Sequence, residues 1–544
     1  MKSGDVRILG PNGRPLPPST RRASMLNGSG RVPYDAADSF SDAMANWQPA
    51  LWSPDNEVNI YRDRIVSRVR DMARNDGWAS GSVTRILDNA VGANFRPIAK
   101  VDYRALSMQT GLKAFDAKWA DEYGRAVEAA WRTWANDPGR YCDVERKKTV
   151  SQMLRLAFRH KLVDGDALAV LQYRTDRLGH GRARYATTIQ IIDPDRLSNP
   201  QQVFDMLNIR GGVEIDDDGV PVAYHIRKAH MGDWWSAEKT MTWERVRRET
   251  AWGRPIVVHD FDGDRAAQHR GSSIFTPIVQ RLKMLIKYDE VELEASILNA
   301  VFGAYVTSPY DPRLFEDGLR DDVLDYQDMR TDFHNDNRLS LQSGARIPIL
   351  APGENITSVN ATRPVSNFVA FESAALRNCA AALGISTQQL TQDWSDVNYS
   401  SARSAMLEAW KTLTRRRDDF ASGFAQPIFS SFIEELHDLG EVPLPAGAPE
   451  FLAAKAAYCR AQWMGPGRGW VDPVAEKKGA ILGMDSGMST LEMEVSENVG
   501  EDWEELLDQR AREVEAFKDR GLPVPSWAQA DTFAPQTIKD PEAQ

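Results

Sequence analysis

The 544-residue chain carries 66 Lys+Arg against 77 Asp+Glu, a net charge of −11, with 16 tryptophans and 42% hydrophobic residues. At roughly 100–200 residues per domain one small domain is excluded. The acidic balance excludes a protein that coats nucleic acid non-specifically, which needs excess Lys and Arg to displace phosphate counterions.

Three distant cysteines, Cys142, Cys379 and Cys459, form no CxxC pair, so a disulfide framework and a cysteine zinc site are excluded and a reducing compartment is expected. No run reaches 18 apolar residues; the best, 297–306, contains Asn299, and no apolar signal core opens the chain. A soluble, unsecreted protein with no membrane partner is expected.

Residues 1–50 are rich in Gly, Pro and Ser, show no period, and carry Lys2, Arg7, Arg14, Arg21, Arg22 and Arg31 with Asp5 among them. They read as a flexible basic arm, unable to bury enough to offset its ordering entropy. Ile60, Ile65, Val69 and Met72, then Trp78, Val83, Ile86, Leu87 and Ala90, predict two helices separated by the break Asn75-Asp76-Gly77. Phe115, Trp119, Tyr123, Val127, Trp131 and Trp134 predict an amphipathic helix over 114–136 with an aromatic core face. A fourth helix runs from Val150 to a stop at Asp164-Gly165.

The period then falls to two. Strands are predicted at 167–173, 188–192, 212–215, 222–226 and 255–259, with a hairpin turn at Asp216-Asp-Asp-Gly219. A long helix follows over 272–302, its apolar face on Ile274, Ile278, Leu282, Ile286, Leu293, Ile297 and Val301 and its polar face on Lys283, Lys287, Glu290 and Glu294, placed to pair. About 30 residues make a rod of roughly 45 Å, with Pro277 tolerated in the first turn. Beyond a polar stretch to Ser343, a strand is expected at 347–350, a loop at 359–367, helices at 368–383 and 402–439, and an acidic helix over 491–517 whose charges read as a solvated face.

No Gly-Lys dipeptide exists, so there is no phosphate loop; HExxH and GxSxG are absent too. The densest acidic cluster is His259-Asp-Phe-Asp-Gly-Asp264. It could serve a metal-dependent nuclease, but a calcium loop starting at Asp260 would need Glu where Gly271 stands. A polar turn neutralised by Arg265 and Arg270 is the preferred reading. No enzyme activity, cofactor or metal is expected.

Two stretches carry a resemblance. Val257-Val-His-Asp-Phe-Asp-Gly-Asp-Arg265 with Gln268-His-Arg-Gly-Ser272, and Ala380-Ala-Ala-Leu-Gly-Ile385 with Asp393 and Asn398-Tyr-Ser-Ser-Ala-Arg403, resemble lambda-type portal proteins of tailed phages. Asp164-Gly-Asp166, Trp463-Met-Gly-Pro-Gly-Arg-Gly-Trp-Val-Asp-Pro473 and Gly500-Glu-Asp-Trp503 agree, and the resemblance covers about 55–520. It implies an α+β portal fold with a mainly helical wing and crown, long stem helices and a small β-rich clip.

Mapped on this chain, 1–50 is the arm, 51–180 the first part of the wing, 181–271 a β-rich region including the clip, and 272–303 a stem helix. Residues 304–440 complete the wing, with a tunnel loop near 359–367, and 441–544 form the crown and C-terminal tail. No second stem helix preceding the clip is evident.

The resemblance further implies a homo-oligomeric ring, typically of twelve copies, at one capsid vertex of the virion, assembled in the host cytoplasm. Its partners would be dsDNA in the channel, the terminase large subunit, the major capsid and scaffold proteins, and a head-tail adaptor. Asn360, Thr362, Arg363, Ser366 and Asn367 would line the tunnel loop. Asp393, Asn398, Tyr399, Ser400, Ser401 and Arg403 would serve a structural or interface role.

Overall fold

The computed structural model describes residues 36, 46–301, 305–307, 329, 332, 338–340, 346–348, 355–357, 368–395, 398–470 and 472–523. The chain divides into Met1–Glu57 and Val58–Gln544; apart from the first turn of helix α1, every element below belongs to the second unit. Helices dominate and the strands form small sheets, so the fold is α+β as expected.

The expected N-terminal helices are α1, Pro54–Asn75, and α2, Gly77–Ala90. Asp76 supplies the break: its carboxylate accepts the Ala79 amide at 2.7 Å, capping α2. A short strand β1, Arg96–Ala99, and helix α3, Tyr103–Thr110, lead into α4, Ala117–Ala135. The aromatic face of α4 is buried as its spacing requires. Trp134 stacks on Phe432 with centroids 4.5 Å apart, and Trp131 meets Phe429 and Phe432 edge-on. Helix α5, Val150–Asp164, starts in a capping box of Thr149 and Gln152 and ends at Gly165 in the left-handed region.

Two sheets follow. Strand β2, Asp166–Tyr173, is the centre of an antiparallel three-stranded sheet, between β3, Thr187–Ile192, and β8, Val257–Phe261. The second sheet has order β4, Ile209–Arg210; β5, Val213–Ile215; β6, Pro221–Arg227; and β7, Trp243–Arg247. The Asp216–Gly219 turn joins β5 to β6 as expected, with Asp216 accepting the Asp218 and Val220 amides. Strand β7 escapes the sequence reading because Trp243-Glu-Arg-Val-Arg247 is half charged, and its burial is slight.

The long helix is α6, Val279–Val301. It starts later than expected, since 274–278 are turns, so Pro277 lies before the helix and not in its first turn. Ile278, Leu282 and Leu285 are buried, whereas Leu293 is 64% exposed, so the apolar face inside this chain stops short of the expected one. Short strands β9, Tyr305–Thr307; β10, Arg338–Ser340; β11, Arg346–Pro348; and β12, Asn355–Thr357 pair antiparallel as β9 with β12 and β10 with β11.

Helices α7, Phe368–Leu383, and α8, Thr387–Thr391, precede α9, Tyr399–Phe420. The single helix expected over 402–439 is broken by a π turn, Ala421–Ala425, before α10, Gln426–Asp438. α10 lies in the core, and Glu435 spans from it to β3, accepting the Ala186 and Thr187 amides at 2.6 and 2.9 Å. Strand β13, Ala461–Met464, pairs with β1. Helices α11, Pro473–Asp485; α12, Leu491–Asn498; and α13, Trp503–Asp519 complete the described chain. The expected acidic helix is therefore two helices, parted at Gly500 with φ +74°.

The π turn lets α9 and α10 pass β8. A Cβ on Gly423 would lie 2.3 Å from Asp260 Oδ1. Gly423→Ala is expected to cost about 1–3 kcal/mol in urea unfolding followed by tryptophan fluorescence. Gly479→Ala in α11, where a Cβ meets nothing within 4 Å, serves as the control and is expected not to destabilise the chain.

Candidate functional site

Helices α6 and α7 form a pair running in opposite directions. Tyr288 stacks on Phe368 at 5.4 Å and meets Phe371 edge-on at 5.1 Å, while Arg281, at the other end of α6, acts on Cys379 near the end of α7. The described strand pairs β9 with β12 and β10 with β11 fall between these two helices in the chain. The polar-face residues Lys283, Lys287, Glu290 and Glu294 are all exposed. Their spacing sets like charges four apart, Lys283 with Lys287 and Glu290 with Glu294, and leaves Lys287 and Glu290 as the near opposite pair. Met284, Leu293, Val369 and Phe371 are each more than half exposed on the same helices.

The distinctive stretch 380–403 resolves into helix ends. Gly384 stops α7 at φ +68°, where a Cβ would lie 2.8 Å from Thr412 of α9, and Arg416 donates to the Leu383 carbonyl at 2.8 Å. Asp393 accepts from the Ser395 amide and hydroxyl at 3.0 and 2.6 Å, and these bonds hold its carboxyl below the usual range. Asn398 caps α9, accepting the Ser401 amide and hydroxyl at 2.9 and 2.8 Å. Ser400 accepts from Ser404 through its carbonyl. Tyr399 opens the helix. Arg403 reaches Glu476 of α11 at 3.6 Å. The residues Asn360, Thr362, Arg363, Ser366 and Asn367 lie outside the described residues.

The acidic cluster at 259–264 begins inside a strand that runs to Phe261, and 262–264 leave it as the expected polar turn. His259 and Asp260 are in β8, and Lys161 of α5 pairs with Asp260 and Asp262 at 2.8 and 3.0 Å, a partner the sequence reading did not name. Burial would lower the Lys161 amine, but the two carboxylates outweigh it and keep the amine charged. Arg270 is committed elsewhere. Its Nε and the Arg62 Nη2 hold the fully buried Asp166 carboxylate at 2.7 and 2.8 Å, and the Gly271 amide donates to the other oxygen at 2.6 Å. Burial would raise the Asp166 carboxyl, yet the Arg270 and Arg62 guanidiniums overcome it and hold it well below the usual carboxylate range. The remaining Arg270 donors reach the Leu197, Gly211 and Pro194 carbonyls.

A second cluster, His160, Asp164, Asp193, Asp195 and His230, has atoms near enough to suggest a cation site. The Arg70 guanidinium fills it, contacting Asp164, Asp193 and Asp195 at 2.7, 2.5 and 3.2 Å. These groups constitute a structural charge cluster centred on Arg70, in which Asp195 Oδ1 is left without a hydrogen bond and faces His230 Nδ1 at 3.3 Å. Sequence spacing offered no signal for Arg62 or Arg70, whose partners lie about a hundred residues away; Asp164-Gly-Asp166 and Arg270-Gly271 were visible as stretches but not as a pair.

The family description "Phage portal protein, lambda family" matches residues 40–417. The portal protein of Escherichia phage N15 is 29% identical over 531 residues, 96% of this chain and 95% of its own length. Portal protein B of Escherichia phage lambda is 28% identical over 532 residues, with 96% and 95% covered. Among solved structures, a chain in the neck of an empty GTA particle is 13% identical with a TM-score of 0.44, covering 84% of this chain and 94% of that one. An HK97-family phage portal protein from Corynebacterium diphtheriae is 11% identical with a TM-score of 0.23, covering 57% and 86%.

Asp166→Asn leaves two buried guanidiniums without their anion and is expected to cost about 3–5 kcal/mol. Because the carboxyl is depressed in the fold, its contribution is present above the unfolded value of 3.8 and is lost as pH falls below it. Urea unfolding at neutral pH and at pH near 3 is expected to show a large difference between wild type and variant in the first condition and a smaller one in the second.

Proposed function

The chain belongs to the lambda family of phage portal proteins, and on that premise we propose that it forms a closed ring, of twelve copies, that serves as the passage for duplex DNA at one vertex of the capsid. In this reading it is assembled in the host cytoplasm with the major capsid and scaffold proteins, docks the terminase large subunit during packaging, and then docks a head-tail adaptor. It performs no chemistry of its own. The metal-dependent nuclease reading loses its support, because Lys161 occupies the two acids of the 259–264 cluster that such a site would need.

The observation that carries the structural side of this reading is the α6/α7 pair bracketing residues 302–367. Two antiparallel helices with short paired strands between them in the chain suit a stem carrying a clip. We therefore place the stem on α6 and α7 and the clip within 302–367, in place of the region 181–271 suggested by the sequence. The stem helix that had to precede the clip is then α6 itself. On this placement the tunnel loop, a loop just before a long helix, is assigned to 392–398 ahead of α9, in place of 359–367, which lie outside the described residues.

Physical chemistry supports a conduit of this kind. Every Lys or Arg fixed on a phosphate adds affinity that must be broken for the duplex to advance. A loop whose one described charge is Asp393, with Trp394 and Ser395 beside it, gives no such hold. Ring closure requires head-to-tail contacts. The exposed Met284 and Leu293 of α6, with Val369 and Phe371 of α7, supply apolar area that neighbouring stems can cover, and Lys283, Lys287, Glu290 and Glu294 can set their register.

Negative-stain microscopy of the purified protein is expected to show rings with a central hole wide enough for a duplex. A monomer of 60.9 kDa under every salt condition overturns the reading. Asp393→Arg is expected to leave ring formation intact while reducing packaged DNA several-fold in a packaging assay. Arg363→Glu is expected to leave packaging unchanged if 392–398 is the loop; the opposite pair of results returns the loop to 359–367.

A further inference from the structure

The stretches Trp463–Pro473 and Gly500–Trp503, prominent in the sequence, converge at the base of the last described helix. Gly467 and Gly500 lie back to back: a Cβ on Gly500 would stand 2.5 Å from the Gly467 amide, and one on Gly467 would stand 2.6 Å from the Asn498 carbonyl. The Arg468 amide donates to the Glu497 carbonyl at 2.7 Å, and its guanidinium donates to Asn498 Oδ1 at 3.0 Å. Helix α12 is thus anchored by close backbone packing, with Val495 and Asn498 buried. Gly500 then turns the chain in the left-handed region, and Asp502 caps α13 by accepting the Glu504 amide at 2.7 Å.

Beyond that turn the means of attachment changes. α13 buries no residue fully. Trp503 and Leu506 of its first turn are only half-buried, and ion pairs tie that turn to the body: Glu504 to Arg125 of α4 at 3.1 Å, and Glu505 to Arg96 of β1 at 2.8 Å and to Arg132 of α4. Lys100, just after β1, holds Glu492 of α12 at 2.8 Å on the anchored side of the turn. In the middle of these groups lies a further carboxyl, Glu128 of α4, accepting the Ala99 amide at 2.9 Å. It shares a small internal space with Arg96, Arg132, Asp502 and Glu505.

We propose that α13 is an ionic strap, hinged at Gly500, that closes on α4 and β1 through Glu504 and Glu505 and opens without unfolding the body. Glu128 is its pH-sensitive element. Burial, with Asp502 and Glu505 nearby, pushes the Glu128 carboxyl up to about 7, against the opposing effects of the Ala99 amide and Arg132. A carboxyl raised in the closed state favours closure when protonated. Its contribution is full below the ordinary value of 4.5 and fades as pH rises through about 7. Salt weakens the other pairs, which are partly exposed and so open to screening. The inference concerns the chain itself and does not depend on the channel reading.

Hydrogen exchange on the purified full-length protein tests it, read as protection factors for 503–519 against those for α10. Raising NaCl from about 50 to about 500 mM shortens the screening length from about 14 to about 4 Å. It is expected to lower protection in α13 several-fold and leave α10 unchanged. The double variant Arg96→Ala, Arg132→Ala is expected to show the same low protection at low salt. Between about pH 6 and about pH 8, wild-type α13 protection is expected to fall by up to about tenfold, and Glu128→Gln is expected to abolish that fall while keeping the salt response. Protection in α13 that ignores salt and pH, or that falls in step with α10, overturns the proposal.

Discussion

The rest of the fold is built around one buried carboxylate. Asp166 begins the central strand of the three-stranded sheet with no exposure, and two guanidiniums from opposite directions neutralise it. Arg62 brings the first helix; Arg270 brings the segment that turns into α6 and ties it to the loops at Pro194, Leu197 and Gly211. For the Gly271 amide to reach the same carboxylate, two backbones must touch. A Cβ on Gly271 would lie 2.1 Å from the Gly165 carbonyl, so neither position accepts a side chain. A buried charge without its partners is far more costly than an exposed one, so the first helix, both small sheets and the start of the long helix are fixed together or not at all.

Much of this was legible and some was not, for reasons of range. The aromatic stripe over 115–134 is a local period, and its six residues, five of them on α4, are buried as their spacing demanded. The Asp216–Gly219 turn and the caps at Asp76 and Thr149 are likewise written in a few adjacent residues. The neutralisation of the acidic cluster at 259–264 was only partly legible, because Lys161, about a hundred residues away in sequence, pairs Asp260 and Asp262, while Arg270, close in sequence, is turned to Asp166. The pairing of α7 with α6 was missed for a related cause. α7 was recognised as a helix, but nothing in its own sequence says that it returns along α6, since that depends on Tyr288 meeting Phe368 and Phe371 across eighty residues. The break within 402–439 needed a π turn, which carries no composition signal beyond Gly423.

Charge is used in three different ways along the molecule. In the interior it specifies: Asp166, Arg70 and Lys161 are each surrounded by opposite charge and fix segments to one another. On α6 and α7 it is left exposed beside apolar side chains, an arrangement suited to meeting a neighbour. In the last helices the acidic run expected to be a solvated face is partly engaged, with Glu492, Glu504 and Glu505 paired to the body. The net charge of −11 is therefore a sum over unlike purposes and says little by itself about how a nucleic acid would be handled.

The three cysteines are buried and free, and burial pushes the Cys142 and Cys459 thiols up to about 12. At neutral pH the reactive thiolate is then on the order of one part in a hundred thousand of each. A protein made in a reducing cell and afterwards held for long periods in air would be exposed to slow oxidation at any accessible sulfur. Here the sulfurs that folding hides are also chemically quiet, so burial and a raised thiol act in the same direction against oxidation for as long as the chain stays folded.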